Sequence, residues 1–265
     1  MQTRATAFLA LWNGIARPEL QPEYENWHTF EHVPERVGLP GFIEARRYRS
    51  MAAGLAPAYF TCYWLADIDA LNSRPYAALF AQPTPWTARM RESLTDFFRL
   101  PCTLAGSWGA ASASRLAALH FEATAPHADD QVANALSLAV QQGRLVAAQW
   151  GRVTQTQAIP IANKPDTPAS GAAGFVVMLQ SFDAAALQRE AQKLVQALSG
   201  CAALVSPPAV LELLSQVRQA DLTSPPCPSP ATGGHPGHEA AEHWQRQAPR
   251  PDLFETFQPR PGDKP

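Results

Sequence analysis

Residues 23–48 read EYENWHTFEHVPERVGLPGFIEARRY, and this order of polar, apolar and turn-forming residues sets the architecture expected at the start of the chain. Residues 22–39 predict a helix disturbed at Pro34, because proline has no N–H to offer the carbonyl of residue 30. Pro40-Gly41 then forces a tight turn, since proline fixes φ and glycine tolerates φ > 0. Residues 41–50 continue as a strand. At about 100° per residue, Trp27, Phe30, Val33, Pro34 and Val37 share one helix side, which is expected on a sheet. Glu25, His28, His32 and Glu35 form the opposite stripe. In the strand, strict alternation puts Phe42, Glu44, Arg46 and Tyr48 on one face, and Ile43, Ala45, Arg47 and Arg49 on the other.

Working outward, residues 5–14 and 58–68 read as strands by their aromatic and aliphatic content. Residues 69–98 read as a helical region interrupted near Pro83 and Pro85, and 104–112 as a closing strand. The order β-α-β-β-α-β then recurs about 109 residues later. Residues 114–124, 144–156 and 174–182 read as strands, 129–143 and 183–200 as helices, and 209–218 as a strand or short helix. Asp183 is placed to cap the clearest helix, and residues 158–174 read as a surface loop. Two such units predict an α+β fold of two ferredoxin-like repeats, 1–112 and 113–221, packed sheet to sheet as one intramolecular barrel. From 222 to 265 the chain holds ten of its 25 prolines, which predicts a Pro/His-rich disordered tail. Phe254 and Phe257 in LFETF are able to dock.

Glu31-His32-Val33-Pro34, Leu39-Pro40-Gly41-Phe42 and Arg46-Arg47-Tyr48 resemble the first helix and second strand of the dimeric α+β barrel superfamily, near its EthD-like branch. The resemblance covers about residues 5–112. The second half carries Ala139-Val140-Gln141-Gln142-Gly143 where the motif would recur, as expected of a tandem duplication with one degenerate copy. The resemblance implies a cavity between the sheets, used for cyclisation, isomerisation, decarboxylation or cofactor-free oxygenation of hydrophobic or aromatic compounds.

The polar helix stripe admits three readings. One is a solvated face with Glu25–His28 and His32–Glu35 paired at i,i+3. The second is acid–base chemistry by His32, tuned by Glu31 or Glu35, because histidine titrates near neutrality with little adjustment. The third is a metal site from His28-x3-His32, for which no third ligand is evident in the sequence. Acid–base chemistry names His32 and Glu31 as the catalytic pair. Residues expected to line the substrate site are His28, Phe42, Glu44, Arg46, Tyr48 and Trp12.

Composition sets the outer limits. Hydrophobic residues make up 46% and charged residues 17%, enough for a core and against wholesale disorder. Twenty-one basic and 23 acidic residues leave a charge of −2, which is no footprint for nucleic acid or a membrane surface. Four separated cysteines give no CxxC pair and suit a reduced, cytoplasmic setting. There is no GxGxxG, Walker loop, HExxH or GxSxG, so nucleotide-cofactor and serine-hydrolase chemistry are disfavoured. The expectation is a small-molecule enzyme with no cofactor, as a monomer or homodimer. Its rivals are a non-catalytic scaffold and a haem-binding barrel.

Overall fold

The computed structural model describes residues 4–54, 56–156, 174–205, 208–222, 247 and 249–258. The first half contributes β1 (Ala7–Ile15), α1 (Gln21–Trp27), a π-turn (His28–His32), α2 (Val33–Val37), β2 (Phe42–Ser50), β3 (Tyr59–Leu65), α3 (Arg74–Ala81), α4 (Pro85–Glu92) and β4 (Leu94–Trp108). The second contributes β5 (Arg115–Ala123), α5 (Ala128–Gln141), β6 (Ala147–Val153), β7 (Gly174–Ser181), α6 (Ala184–Leu198), β8 (Ala202–Leu204) and β9 (Val210–Arg218). A short α7 (Pro251–Glu255) lies beyond them in the chain.

Strand order makes both repeats visible. The first half pairs as β4-β1-β3-β2 and the second as β9-β5-β7-β6, each the order of a split βαβ unit. The seams β4–β6 and β2–β9 join the two sheets, every pairing is antiparallel, and eight strands close into a barrel. Closure removes the free edges that an open sheet would expose. The short β8 adds to the far end of β5.

Alternation along each strand then divides the core. Phe8, Ala10, Trp12, Phe60, Cys62, Leu100 and Cys102 point into the barrel, where they meet Leu116, Ala118, Val176 and Met178 from the other sheet. Trp12 stacks on Phe98 at 4.6 Å and lies 4.7 Å from the Phe60 ring. Among the described residues, side chains of the two sheets pack against each other across the barrel interior, where the resemblance implies a cavity. The opposite faces of the sheets carry the helices. In the first half, Leu9, Val33, Val37, Leu39, Phe42, Tyr63 and Leu79 form that layer.

Three local readings need correction. Strand β4 begins at Leu94 rather than near 104, so residues 94–98 belong to the sheet and not to a helix. The register of β2 shifts between Phe42 and Glu44. This bulge places Phe42 in the helix-side core and Glu44, Arg46 and Tyr48 on the barrel side, so the expected shared face is split. Finally, α1 does not run straight into α2. The Val33 N–H bonds the His28 carbonyl, a wider i→i−5 turn that relieves the clash between the Pro34 ring and the carbonyl of residue 30. One extra residue in the turn rotates the rest of the helix by about 100° around the axis. The polar stripe is consequently mostly buried rather than solvated: His28 is 3% exposed, His32 9% and Glu35 1%, while Phe30, expected on the sheet, is 48% exposed.

The tail lies only partly within the described residues. Residues 223–246, with His235, His238 and His243, lie outside the described residues, as does most of the 158–174 loop. Residues 249–258, however, are ordered against the first half. Phe254 and Phe257 lie 5.8 and 6.0 Å from the ring of Trp86, and Arg89 stands 5.9 Å from the Phe254 ring. The proline count points to disorder, but the LFETF aromatics cover a tryptophan and offset the ordering cost.

Candidate functional site

A narrow cleft opens between the helices of the first half and the outer face of β1, β3 and β4. Leu9, Leu11 and Asn13 form its floor, Trp27, His28, His32 and Arg36 one wall, and Tyr63, Tyr76, Phe80, Arg91, Leu94, Phe97 and Arg99 the rest. Its free volume is about 40 Å³, room for about three waters or a group of that size.

The π-turn brings the two imidazoles together, with ring centroids 4.8 Å apart. Trp27 packs 4.1 Å from His32 and meets His28 edge-on at 5.4 Å. Arg36 Nη1 lies 3.1 Å from His32 Nδ1 and donates at the same distance to the His32 carbonyl. A guanidinium has no lone pair to offer, so Nδ1 accepts and the ring proton sits on Nε2. Arg36 is steadied in turn by Glu35, 3.5 Å away. The Nδ1 atom of His28 is buried without a hydrogen-bond partner among the described residues. Burial and the nearby Arg47 and Arg36 guanidinium groups hold His28 well below the ordinary imidazole value. Burial, Arg36 and His28 do the same to His32. Both rings are neutral at pH 7.

Around them stand polar groups of another kind. The Tyr63 side chain is 1% exposed and its hydroxyl is buried without a partner among the described residues. Burial pushes the Tyr63 phenol up, so it remains a donor. Arg91 Nη2 donates to the Leu79 carbonyl at 3.1 Å. The Arg91 and Arg36 guanidinium groups stand 5.0 and 5.6 Å from the Phe80 ring. Arg99, 7% exposed, lies 6.0 Å from the Tyr76 ring. Behind this wall, Arg47 donates to Thr29 Oγ1 at 2.9 Å and Glu25 Oε2 at 3.0 Å, and Tyr59 donates to Glu25 Oε1 at 3.0 Å. Asn13 and the Tyr24 hydroxyl share a hydrogen bond of about 3 Å. This network holds α1 on the sheet and fixes where the π-turn lies.

Of the residues expected at the site, His28 and His32 line the cleft. Glu31 does not. Its carboxylate accepts from Thr84 Oγ1 at 2.5 Å and from the Arg250 backbone N–H at 2.8 Å, on the α4 side of the helix. Phe42 supports the cleft from behind through the rings of Tyr63 and Tyr76, at 5.9 and 5.6 Å. Trp12 and Tyr48 are in the barrel core, and Glu44 and Arg46 pair at 2.8 Å on that same side of the sheet. The sheet separates these four from the imidazoles. Arg36, Tyr63, Arg91 and Arg99 are lining residues that sequence reasoning misses. Arg36 is within its reach, four residues after His32 on a helix, whereas Arg99 lies between the helical reading of 69–98 and the strand reading of 104–112, in a stretch assigned to no element. The metal reading has no support here: no group of three or more His, Cys, Asp or Glu comes together among the described residues.

No family model matches the sequence, and no curated protein sequence matches it significantly. Solved structures do. An anthrone oxidase-like protein superposes with a TM-score of 0.56 at 10% identity, over 83% of this chain and 97% of its own. A proposed monooxygenase from Lactobacillus acidophilus gives 0.51 at 9% identity, covering 82% and 97%. Another from Fusobacterium nucleatum gives 0.51 at 8%, covering 81% and 95%. Across almost their whole lengths these proteins share the architecture described above: the chain has the α+β barrel fold.

Proposed function

We propose that the chain is a small-molecule enzyme of the EthD-like branch, moving a proton on a hydrophobic or aromatic compound with its own side chains. The observation that carries this reading is the pair of buried, neutral imidazoles on a π-turn, facing a cleft beside a phenol without a partner among the described residues. A buried polar atom without a partner costs about 1–3 kcal/mol, so a chain serving only as a scaffold would not be expected to keep two in one cleft. A neutral imidazole carries both a lone pair and an N–H. His32, with Nδ1 held by Arg36, offers Nε2–H as the acid, and His28 offers its lone pair as the base. Charge developing on the substrate would meet Arg99, Arg91 and the Tyr63 hydroxyl.

His32 is not set up to ligate haem iron: with Nδ1 accepting from Arg36, its Nε2 carries a proton and no lone pair.

The test is hydrogen–deuterium exchange, in D2O, of carbon acids graded in size up to anthrone, the compound named for one structural neighbour. The native protein should accelerate exchange of at least one of them, and His32→Ala should reduce that rate about 10²–10⁴-fold. Equal exchange by native protein and His32→Ala would refute the assignment.

A further inference from the structure

On its α4 side, the turn that carries the imidazoles meets a segment 219 residues further along the chain. Glu31, next to His32 and 3% exposed, is the meeting point. Its carboxylate takes the Thr84 hydroxyl on Oε1 and the Arg250 backbone N–H on Oε2. Leu253, Phe254 and Phe257 pack on the cluster that holds Trp27 and Trp86. Trp27 carries this contact inwards, since its indole N–H donates to Thr87 Oγ1 at 3.1 Å and its ring lies on His32. Arg89 holds the far end, with Nη2 3.5 Å from the Phe257 carbonyl. At the near end Gln247 lies so close to Gly38 that a Cβ there would meet its Cγ at 2.7 Å. Residues 31–38, which include His32 and Arg36, are thus gripped at both ends.

The grip is of a kind that can let go. Leu253, Phe254 and Phe257 are only half-buried, and α7 has five residues, too few to hold a helix by itself. Leu222 packs against the layer of Leu39, and Gln219 donates to the Leu39 carbonyl at 2.8 Å, one residue from the contact of Gly38 with Gln247. Residues 223–246 therefore begin and end at the same place on the first half, and the segment can leave and return without a change in the barrel.

We infer that Gln247 and residues 249–258 are a latch on the site: docked, they hold the π-turn and its imidazoles in place, and released, they let water reach Glu31 and the turn. On release Glu31 Oε2 loses its donor, and a buried carboxylate without one draws in water. The π-turn is an irregular geometry that its surroundings must support, so the bond from the Val33 N–H to the His28 carbonyl opens first. That the latch controls the site rests on the imidazoles being its working groups; the latch itself is read without a substrate.

The experiment is amide hydrogen exchange by NMR on the full chain, native and Phe254→Ala/Phe257→Ala. Exchange of the residue 28–33 amides should rise about tenfold or more beyond any rise in the β7 amides, which report global opening. A rise at 28–33 no larger than in β7 would overturn the latch and leave the segment as packing alone. The second arm adds Gly38→Cys/Gln247→Cys, with Cys227→Ser, to the same variant. Oxidation should join the new pair and slow exchange at 28–33 again, and reduction should undo this. Failure of the pair to form, or a formed disulfide that leaves exchange equally fast, would overturn the latch as well. Should Phe254→Ala/Phe257→Ala not fold, Phe254→Leu/Phe257→Leu carries the same prediction with a smaller rise. None of these outcomes depends on the carbon-acid assay, which judges the imidazoles separately.

Discussion

Acidifying the protein should destabilise it early, before its carboxylates titrate. His28 and His32 are buried and neutral, and the charges facing them are the guanidinium groups of Arg36, Arg47 and Arg91, all of which oppose a second positive charge. In the unfolded chain both rings titrate near 6.5. The unfolded state therefore binds protons that the native state refuses, and stability falls as pH drops below 6.5 towards the lowered native values. Above 6.5 the contribution is complete. With both native values held well below the ordinary one, each ring loses on the order of 1 kcal/mol between pH 7 and pH 5.5, hence roughly 2 kcal/mol for the pair. Urea denaturation at the two pH values should show this difference in the native protein. In His28→Asn/His32→Asn most of it should vanish, whatever the change in absolute stability. A pH dependence of the same size in both proteins would show that the rings are not held neutral, and the reasoning about the cleft would fail.

Other consequences arise from the packing. Phe254→Ala/Phe257→Ala should lower Tm by several degrees, since half-buried phenylalanines on Trp86 are worth roughly 1–2 kcal/mol each. An unchanged Tm would mean that the segment does not dock. Trp12→Ala should cost about 3–5 kcal/mol in urea denaturation yet leave the carbon-acid exchange rate intact, because the sheet separates Trp12 from the cleft. A lost exchange rate in a folded variant would move the site into the barrel. Gly151→Ala should destabilise by about 1–3 kcal/mol, as a Cβ there would sit 2.6 Å from Phe8 Cε1 and the Thr103 carbonyl at the β4–β6 seam. A neutral effect on denaturation would contradict the closure drawn at that seam.

The repeat of strand and helix is legible because each repeat must bury one sheet face under two helices, and that demand writes the same pattern twice. One-residue irregularities escape the sequence. The bulge between Phe42 and Glu44 reverses which face each later side chain takes, and alternation alone has no sign of it. The π-turn does the same for the helix, turning Phe30 out and Glu31 and Glu35 in. Pro34 marks the place of the disturbance but not its direction. Strand β4 is hidden for a different reason: Phe97, Phe98, Arg99 and Leu100 face two buried layers, so polar and apolar residues do not alternate, and Pro101 reads as a break. Arg99 is lost with it. The imidazoles stand out because histidines four apart beside a proline are conspicuous; their arginine neighbours come from distant elements that only folding brings near.

The most direct measurement is the nitrogen-15 NMR spectrum of the His28 and His32 rings between pH 5.5 and 8, assigned with the single variants. The account predicts two neutral imidazoles across this range, with the His32 proton on Nε2 and its Nδ1 shifted by the Arg36 contact. An imidazolium signal from either ring at pH 7, or a His32 proton residing on Nδ1, would contradict it.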